Sequence, residues 1–168
     1  FLKENFSLDE ITSKLLSIRQ IKIEEVSSFL KPSIKNFLPN PHNLADMEKS
    51  TLRTTKAIYQ KEKIGIFGDY DVDGATSTAV LGNYFSELNL EYETYIPDRK
   101  NEGYGPSIKG FQELIDKKVK IIFTVDCGTL SFEAINFAKE NKIDVIVLDH
   151  HQSEVKLPNA FSIVNPNR

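Results

Sequence analysis

The chain has 168 residues, of which 40% are hydrophobic and 27% charged, and this is the composition of a globular protein with material for a core. A single cysteine excludes an internal disulfide framework and, with no signal-peptide pattern at the N-terminus, suits a reducing cytoplasm. No apolar run approaches the ~20 residues of a membrane span, and a net charge of -3 gives no sign of the basic surface of a nucleic-acid binder.

The first 61 residues are predicted to be a helical extension. Ser7-Leu8-Asp9-Glu10 has the spacing of a capping box before a helical apolar pattern. A second short helix is expected over residues 23–30, and Pro39-Asn40-Pro41 indicates a linker. Asn43 is expected to cap a third helix that runs to about residue 60. The predicted packing face of this helix consists of Leu44, Met47, Thr51 and Ile58.

From Lys63 onward, predicted strands alternate with predicted helices. The strands are expected at residues 64–67, 92–96, 121–125, 145–148 and 161–164, and the helices at 75–88, 107–117 and 132–140. Alternation with short connections predicts an α/β domain over residues 62–168, a doubly wound five-stranded parallel sheet. Ligands bind such sheets beyond the carboxyl ends of the strands.

The first predicted strand ends in three aspartates at alternate positions, Asp69, Asp71 and Asp73. On an extended backbone these carboxylates point the same way, and they would repel one another without a cation between them. A hard divalent metal is therefore the natural partner. An EF-hand loop is excluded, because its twelfth position would be Val80 rather than an acidic residue. A phosphatase with an aspartate nucleophile and a purely structural acidic turn stay open.

The third and fourth predicted strands also end in charged motifs, Asp126-Cys127-Gly128-Thr129 and Asp149-His150-His151. Neighbouring parallel strands would bring these carboxylates and imidazoles to one pocket with the first motif. Mixed ligands of this kind suit Mn²⁺, with Mg²⁺ and Zn²⁺ as alternatives, and they are numerous enough for two ions. Two ions suit phosphoryl displacement. Cys127 is interpreted as a small residue in a tight loop rather than a nucleophile.

The second predicted strand leads into Arg99 and the turn Glu102-Gly103-Tyr104-Gly105. Arg99 has the planar fork that binds a phosphate at two points, and the glycines allow the backbone close to a ligand. This segment is the candidate phosphate-binding site.

Together these motifs resemble the DHH phosphoesterase superfamily. The forms Gly68-Asp69-Tyr70-Asp71-Val72-Asp73-Gly74, Glu102-Gly103-Tyr104-Gly105, Val125-Asp126-Cys127-Gly128 and Asn165-Pro166-Asn167 are similar to those of the RecJ exonucleases, as are Phe29-Leu30-Lys31-Pro32 and Leu44-Ala45-Asp46-Met47. The resemblance implies a 5′→3′ exonuclease of recombination and repair that is specific for single-stranded DNA and uses two Mn²⁺ or Mg²⁺ ions.

Site roles follow from the resemblance by matched position. The implied metal-binding and catalytic residues are Asp71, Asp73, Asp126, His150 and His151. Asp69 and Asp149 would bind or orient ligands from beside them. Arg99 with the turn Glu102, Gly103, Tyr104 and Gly105 would engage the substrate phosphate.

The resemblance also implies partners and further parts of the protein. Single-stranded DNA is the expected substrate, a single-stranded-DNA-binding protein and a helicase are expected partners, and the protein is expected to be monomeric and not bound to membranes. A further Asp ligand, a second catalytic domain and an OB fold are expected beyond Arg168. The 168 residues alone are therefore expected to be weakly active or inactive.

Three rival functions stay open. A DHH-family phosphodiesterase or pyrophosphatase acting on short oligonucleotides or small nucleotides would share the metal ligands. The aspartate-nucleophile phosphatase would need a downstream lysine and acidic pair in place of Asp149-His150-His151. A catalytically inactive scaffold with a RecJ-like fold would have lost metal ligands, whereas every ligand position within this chain is filled.

Overall fold

The computed structural model describes residues 2–168, with side chains from Lys3 onward, so Phe1 of the predicted extension lies outside the described residues. Five parallel strands form one sheet. The strands are β1 (Ile64–Gly68), β2 (Tyr92–Tyr95), β3 (Ile121–Val125), β4 (Asp144–Leu148) and β5 (Ser162–Val164). Their order across the sheet is β2-β1-β3-β4-β5. The predicted α/β fold is confirmed, with strand bounds within one residue of those expected.

Helices precede the sheet and connect its strands. The α-helices are α1 (Leu2–Asn5), α2 (Glu10–Ile18), α3 (Val26–Leu30), α4 (Ile34–Phe37), α5 (Met47–Tyr59), α6 (Val72–Glu87), α7 (Arg99–Glu102), α8 (Ile108–Asp116) and α9 (Phe132–Glu140), and 3₁₀ turns lie at Ile23–Glu25 and Pro41–Asn43. The short helices α1, α4 and α7 were not predicted. No helix within residues 2–168 is long and apolar enough to cross a lipid bilayer.

Each face of the sheet is covered by a different pair of helices, because successive side chains of a strand point to opposite faces. In β1, Ile64 and Ile66 pack with Phe85 of α6 and Ala57 of α5. Phe67 faces the other way and packs against α8 and α9. Buried on both faces, the central strands β1 and β3 read as continuous apolar runs, which is typical of parallel sheets.

The chain divides into two compact units between Asn40 and Pro41, inside the predicted linker. By packing, α5 therefore belongs with the sheet, whereas the domain boundary expected from sequence lies between residues 61 and 62. Ser50 of α5 donates to Ser162 of β5 at 2.8 Å. The buried Arg53 binds Asp144 at 2.6 Å, which attaches the same helix to β4.

Two helix starts differ from those expected. Asp9 rather than Ser7 caps α2, since its carboxylate accepts from the backbone N–H of Thr12 at 2.9 Å. The helix expected from Asn43 begins at Met47. Asp46, just before it, has a positive φ of 61°, and its carboxylate accepts from Ile163 N at 3.0 Å.

The buried side of α5 also differs from the predicted face. Ser50, Arg53 and Ala57 are buried, whereas Thr51 of the expected stripe is exposed. Arg53 occupies this face because Asp144 and Glu62 both bind its guanidinium, and these ion pairs offset the burial of its charge. Hydrophobic periodicity cannot identify a face that is held by an ion pair.

Candidate metal centre

The candidate site lies where three neighbouring strands end. Gly68 of β1 pairs with Val125 of β3, and Val125 pairs with Leu148 of β4, so the residues that follow them leave the sheet at one level. The strand order changes direction between β1 and β3, and this switch point is where parallel sheets open a crevice for ligands. The three acidic motifs therefore meet at one edge, as predicted.

A first group of possible cation ligands consists of Asp69, Asp71 and Asp126. Each offers a carboxylate oxygen, and these atoms lie within 4.8 Å of one another. Asp69 is buried, and its Oδ1 makes no hydrogen bond with any described residue. A buried carboxylate oxygen without a donor is costly unless a cation balances it. This orphaned oxygen fits a metal ion.

The first turn of α6 fixes the geometry of this group. Asp71 caps the helix, and its Oδ1 accepts from Gly74 N at 3.0 Å. Gly74 itself lies against the backbone of Asp69, where an added Cβ would come within 2.4 Å of the Asp69 carbonyl oxygen. A glycine at this position therefore lets the helix start close enough to β1 for the two carboxylates to converge.

A second group, formed by Asp126, His150 and His151, shares Asp126 with the first. His150 Nε2 lies 2.9 Å from Asp126 Oδ1. The backbone of Asp126 has a positive φ of 62°, an uncommon conformation that strained functional positions often adopt. Because Asp126 belongs to both groups, it is the side chain that could bridge two ions.

Asp149 holds the two histidines of the second group in place through hydrogen bonds. Its Oδ1 accepts from His150 N at 2.7 Å, His151 N at 3.1 Å and His151 Nδ1 at 2.8 Å, and its Oδ2 accepts from Thr129 N at 3.0 Å. Burial alone would raise the pKa of Asp149, but these hydrogen bonds outweigh it and lower the pKa. The Asp149 hydrogen bond also raises the pKa of His151. With Nδ1 held by a carboxylate, Nε2 of His151 is the nitrogen left for a cation.

The carboxylates of the site repel one another in the absence of a cation. Burial and the neighbouring charge of Asp71 raise the pKa of Asp126. The pKa of Asp71 is lowered instead, chiefly because Gly74 N donates to its carboxylate. Oxygen-rich donors with imidazoles beside them are the ligands of Mn²⁺ and related divalent ions. The residues present therefore fit such ions.

Asp73 lies apart from both tight groups of the described residues. It is in the first turn of α6 and lines an open cleft of about 500 Å³ with Asp126, Asp149 and His150. The sequence placed Asp69 beside the ligands and Asp73 among them. The structure brings a carboxylate oxygen of Asp69 within 4.8 Å of those of Asp71 and Asp126 and leaves Asp73 on the cleft wall, and the roles of both stay predictions.

The candidate phosphate-binding segment lies beside the same edge. The guanidinium of Arg99 sits 4.9 Å from the ring centre of Tyr70, in the loop after β1. Tyr104 reaches the site itself, with its hydroxyl 3.1 Å from His151 Nδ1. Gly103 and Gly105 have φ values of 80° and 78°, which L side chains rarely adopt.

Glu102 points into the protein. Its carboxylate accepts from the Tyr95 hydroxyl at 2.6 Å and from Asp98 N at 3.1 Å, which shapes the turn from within. The predicted contacts of Arg99 and residues 102–105 with a phosphate stay predictions, and for Glu102 the structure favours a supporting place.

Sequence reasoning gave no role to three residues that contact the histidine motif. Thr129 donates its backbone N–H to Asp149, and Asn165 and Asn167 donate to backbone carbonyls of the His-His pair. Asn165-Pro166-Asn167 had drawn attention only as part of a family resemblance. Pairing of β5 with β4 brings it beside Asp149, and the predicted strand order alone does not give that neighbour.

The chain is similar to known proteins of one family. Residues 63–168 match the family described as DHH family, N-terminal domain. The single-stranded-DNA-specific exonuclease RecJ of Bacillus subtilis is 36% identical over 168 residues, which cover 99% of this chain and 21% of that protein. RecJ of Haemophilus influenzae is 40% identical over 139 residues, or 82% of this chain and 24% of that protein. The chain thus spans about a fifth to a quarter of these relatives.

Solved structures of RecJ proteins are also similar to this chain. A crystal structure of exonuclease RecJ bound to manganese matches with a TM-score of 0.63 and 34% identity, over 71% of this chain and 30% of that one. RecJ from Thermus thermophilus in complex with Mn²⁺ matches with a TM-score of 0.58 and 29% identity, over 71% of this chain and 16% of that one.

Proposed function

The chain belongs to the DHH family, and from that premise we propose that it forms the N-terminal catalytic domain of a metal-dependent exonuclease acting on single-stranded DNA in the 5′→3′ direction. The proposed limit of this domain is the boundary between residues 61 and 62. The similarity to RecJ proteins of two bacteria supports the substrate and the chemistry, which is hydrolysis of phosphodiester bonds in recombination and repair.

The observation that carries the proposal is the overlap of two ligand groups at Asp126. Asp69 and Asp71 approach it from β1, and His150 and His151 approach it from β4. This arrangement suits two Mn²⁺ or Mg²⁺ ions that share one carboxylate. Such ions, when bound, lower the pKa of water and offset the negative charge of a phosphate under attack.

The chain's own residues would prepare the site for that chemistry. Asp149 would keep a proton on Nδ1 of His151 and so leave the lone pair of Nε2 to bind a cation. Arg99, held over Tyr70, would bind a non-bridging phosphate oxygen of the substrate and position the scissile bond. Asp73 on the cleft wall would complete the ligand set as the substrate and ions enter.

The test uses the full-length parent protein with Mn²⁺ and single-stranded DNA labelled at the 5′ or the 3′ end. We expect nucleotides to be released first from the 5′ label. Asp126→Asn should lower the rate at least ~100-fold, because the clamp on both ions is disturbed. Glu87→Gln, an exposed carboxylate at the far end of α6, is the matched control and should act like the parent.

Each alternative has its own outcome. Release from the 3′ label first would reject the polarity. Faster hydrolysis of dinucleotides than of long strands would make the protein a small-nucleotide phosphodiesterase. An Asp126→Asn protein with activity within tenfold of the parent's would reject the two-ion site, and a parent with no hydrolysis of either substrate would identify a scaffold.

The proposal extends to partners and location. A cytoplasmic location is proposed because a free, buried cysteine suits a reducing compartment, and the protein is proposed to be a monomer. A helicase and a single-stranded-DNA-binding protein are proposed partners, since an exonuclease of this specificity needs unwound DNA.

A further inference from the structure

Asn165 is a buried polar residue at the edge of the candidate site. It follows β5 directly and is only 1% exposed. Its Nδ2 donates to the hydroxyl of Thr129 at 2.8 Å and to the carbonyl of His151 at 2.9 Å, and its Oδ1 accepts from Asn167 N at 2.8 Å. A buried amide with every group paired is a rigid connection between the parts that it joins.

The orientation of this amide is set by its partners. The backbone N–H of Asn167 can only donate, and the carbonyl of His151 can only accept, so the oxygen and nitrogen of Asn165 cannot exchange places. An aspartate would lose the donor to His151, and an apolar side chain would lose all three bonds. The position therefore requires an amide.

Asn165 is linked to His151 through two sets of hydrogen bonds. Through its carbonyl, the backbone of His151 is held directly by Asn165. Through Thr129, Asn165 reaches Asp149, which accepts from Thr129 N at 3.0 Å and from His151 Nδ1 at 2.8 Å. Residues that follow three strands, β3, β4 and β5, are thus joined by hydrogen bonds around His151.

We propose that Asn165 is a positioning residue that holds His151 in place to bind a cation. The inference rests on the metal site of the proposed function. Partners of metal ligands that do not touch the ion typically contribute 10- to 100-fold in metal affinity or activity. Asn165→Asp should therefore weaken Mn²⁺ binding by about 10- to 100-fold, and saturating Mn²⁺ should restore most of the activity because every ligand is still present.

The experiment compares variants of the full-length parent. Mn²⁺ affinity is measured by calorimetry, the bound ion by electron paramagnetic resonance, and the melting temperature with the metal removed. Thr129→Val removes the hydroxyl that Asn165 binds while keeping the backbone donor to Asp149, so it tests the same connection if Asn165→Asp folds poorly. Ser162→Ala is the matched control, because it removes a buried hydrogen bond of β5 that leads to Ser50 in α5.

The expected result is weaker Mn²⁺ binding in Asn165→Asp and Thr129→Val, with Ser162→Ala binding like the parent. Parent-like affinity in both site variants, whatever their melting temperatures, would make Asn165 a structural residue and overturn the inference. A parent that binds Mn²⁺ without cutting DNA would reject the nuclease proposal alone, since the affinities still decide on Asn165. A parent that binds no Mn²⁺ would overturn both.

Discussion

Gly74→Ala should destabilise the protein even though alanine is the better helix former. The residue lies in the first turn of α6, and replacing glycine by alanine gains at most the ~1 kcal/mol that is typical of a helix interior. The added Cβ, however, would lie 2.4 Å from the carbonyl oxygen and 2.6 Å from Cα of Asp69. These are backbone atoms at the end of a buried strand, so the helix start must move instead.

The size of the effect follows from two losses. Forcing a carbon into a packed site typically costs ~1–3 kcal/mol. Moving the helix start also breaks the bond from Gly74 N to Asp71, and loss of a helix cap costs ~1 kcal/mol. Against the gain in helix propensity, we expect the free energy of unfolding to fall by roughly 1–3 kcal/mol. Mn²⁺ binding should weaken as well, since Asp69 and Asp71 separate.

Gly82→Ala, on the same helix, is the matched control. The atoms nearest to its Cβ would be the outer ring atoms and hydroxyl of Tyr92, at 3.0–3.2 Å, and the far end of this side chain needs to move by only a few tenths of an ångström. We expect this variant to be as stable as the parent or up to ~1 kcal/mol more stable. Urea unfolding of the parent protein and the two variants measures the change in stability, and calorimetry with Mn²⁺ measures the change in metal affinity. A Gly74→Ala protein as stable as Gly82→Ala would refute the argument from backbone contact.

Three further predictions concern single side chains. With the metal removed, Asp149 raises the pKa of His151 above its ordinary value of 6.5. The protonated ring therefore stabilises the fold fully below about pH 6.5, and this contribution is lost as pH rises through the raised pKa. An imidazole titration by NMR with a midpoint at or below 6.5 would contradict this. Arg99→Lys keeps the charge but loses the planar two-point contact, so KM for DNA should rise about tenfold with Mn²⁺ affinity unchanged. An equal loss of Mn²⁺ affinity would instead show that Arg99 supports the metal site. Burial raises the pKa of the Cys127 thiol, so thiol reagents should modify it only after unfolding in urea, and rapid modification of the native protein would disprove its burial.

The strands and their charged ends could be predicted because one physical signal determines both. A strand that is buried on both faces is apolar over nearly its whole length, and β3, polar only at Thr124, was predicted over residues 121–125 as found. The first polar residue after it, Asp126, must then lie at the sheet edge. Parallel strands share that edge, so Asp126 and His150 could be expected to meet.

The details that could not be predicted depend on contacts distant in sequence. Asp46, the residue before α5, has a left-handed backbone conformation, and its carboxylate accepts a hydrogen bond from the N–H of Ile163 in β5. Local sequence gives no indication of that partner. Asn165 likewise has no role until β5 is placed beside β4. The positions of Asp69 and Asp73 relative to the other carboxylates depend on the first turn of α6, where Asp73 is already helical and the alternation of an extended strand no longer applies.

The bond between Asp46 and Ile163 joins residues 117 positions apart, near the two ends of the unit that begins at Pro41. During synthesis, α5 leaves the ribosome before β5. At ~5–20 residues per second, roughly 6–23 s pass between them. Throughout that interval the buried face of α5 has no strand β5 to cover it. The nascent chain thus exposes Ser50, whose hydrogen-bond partner is Ser162 of β5, to chaperones and proteases until β5 has been synthesised.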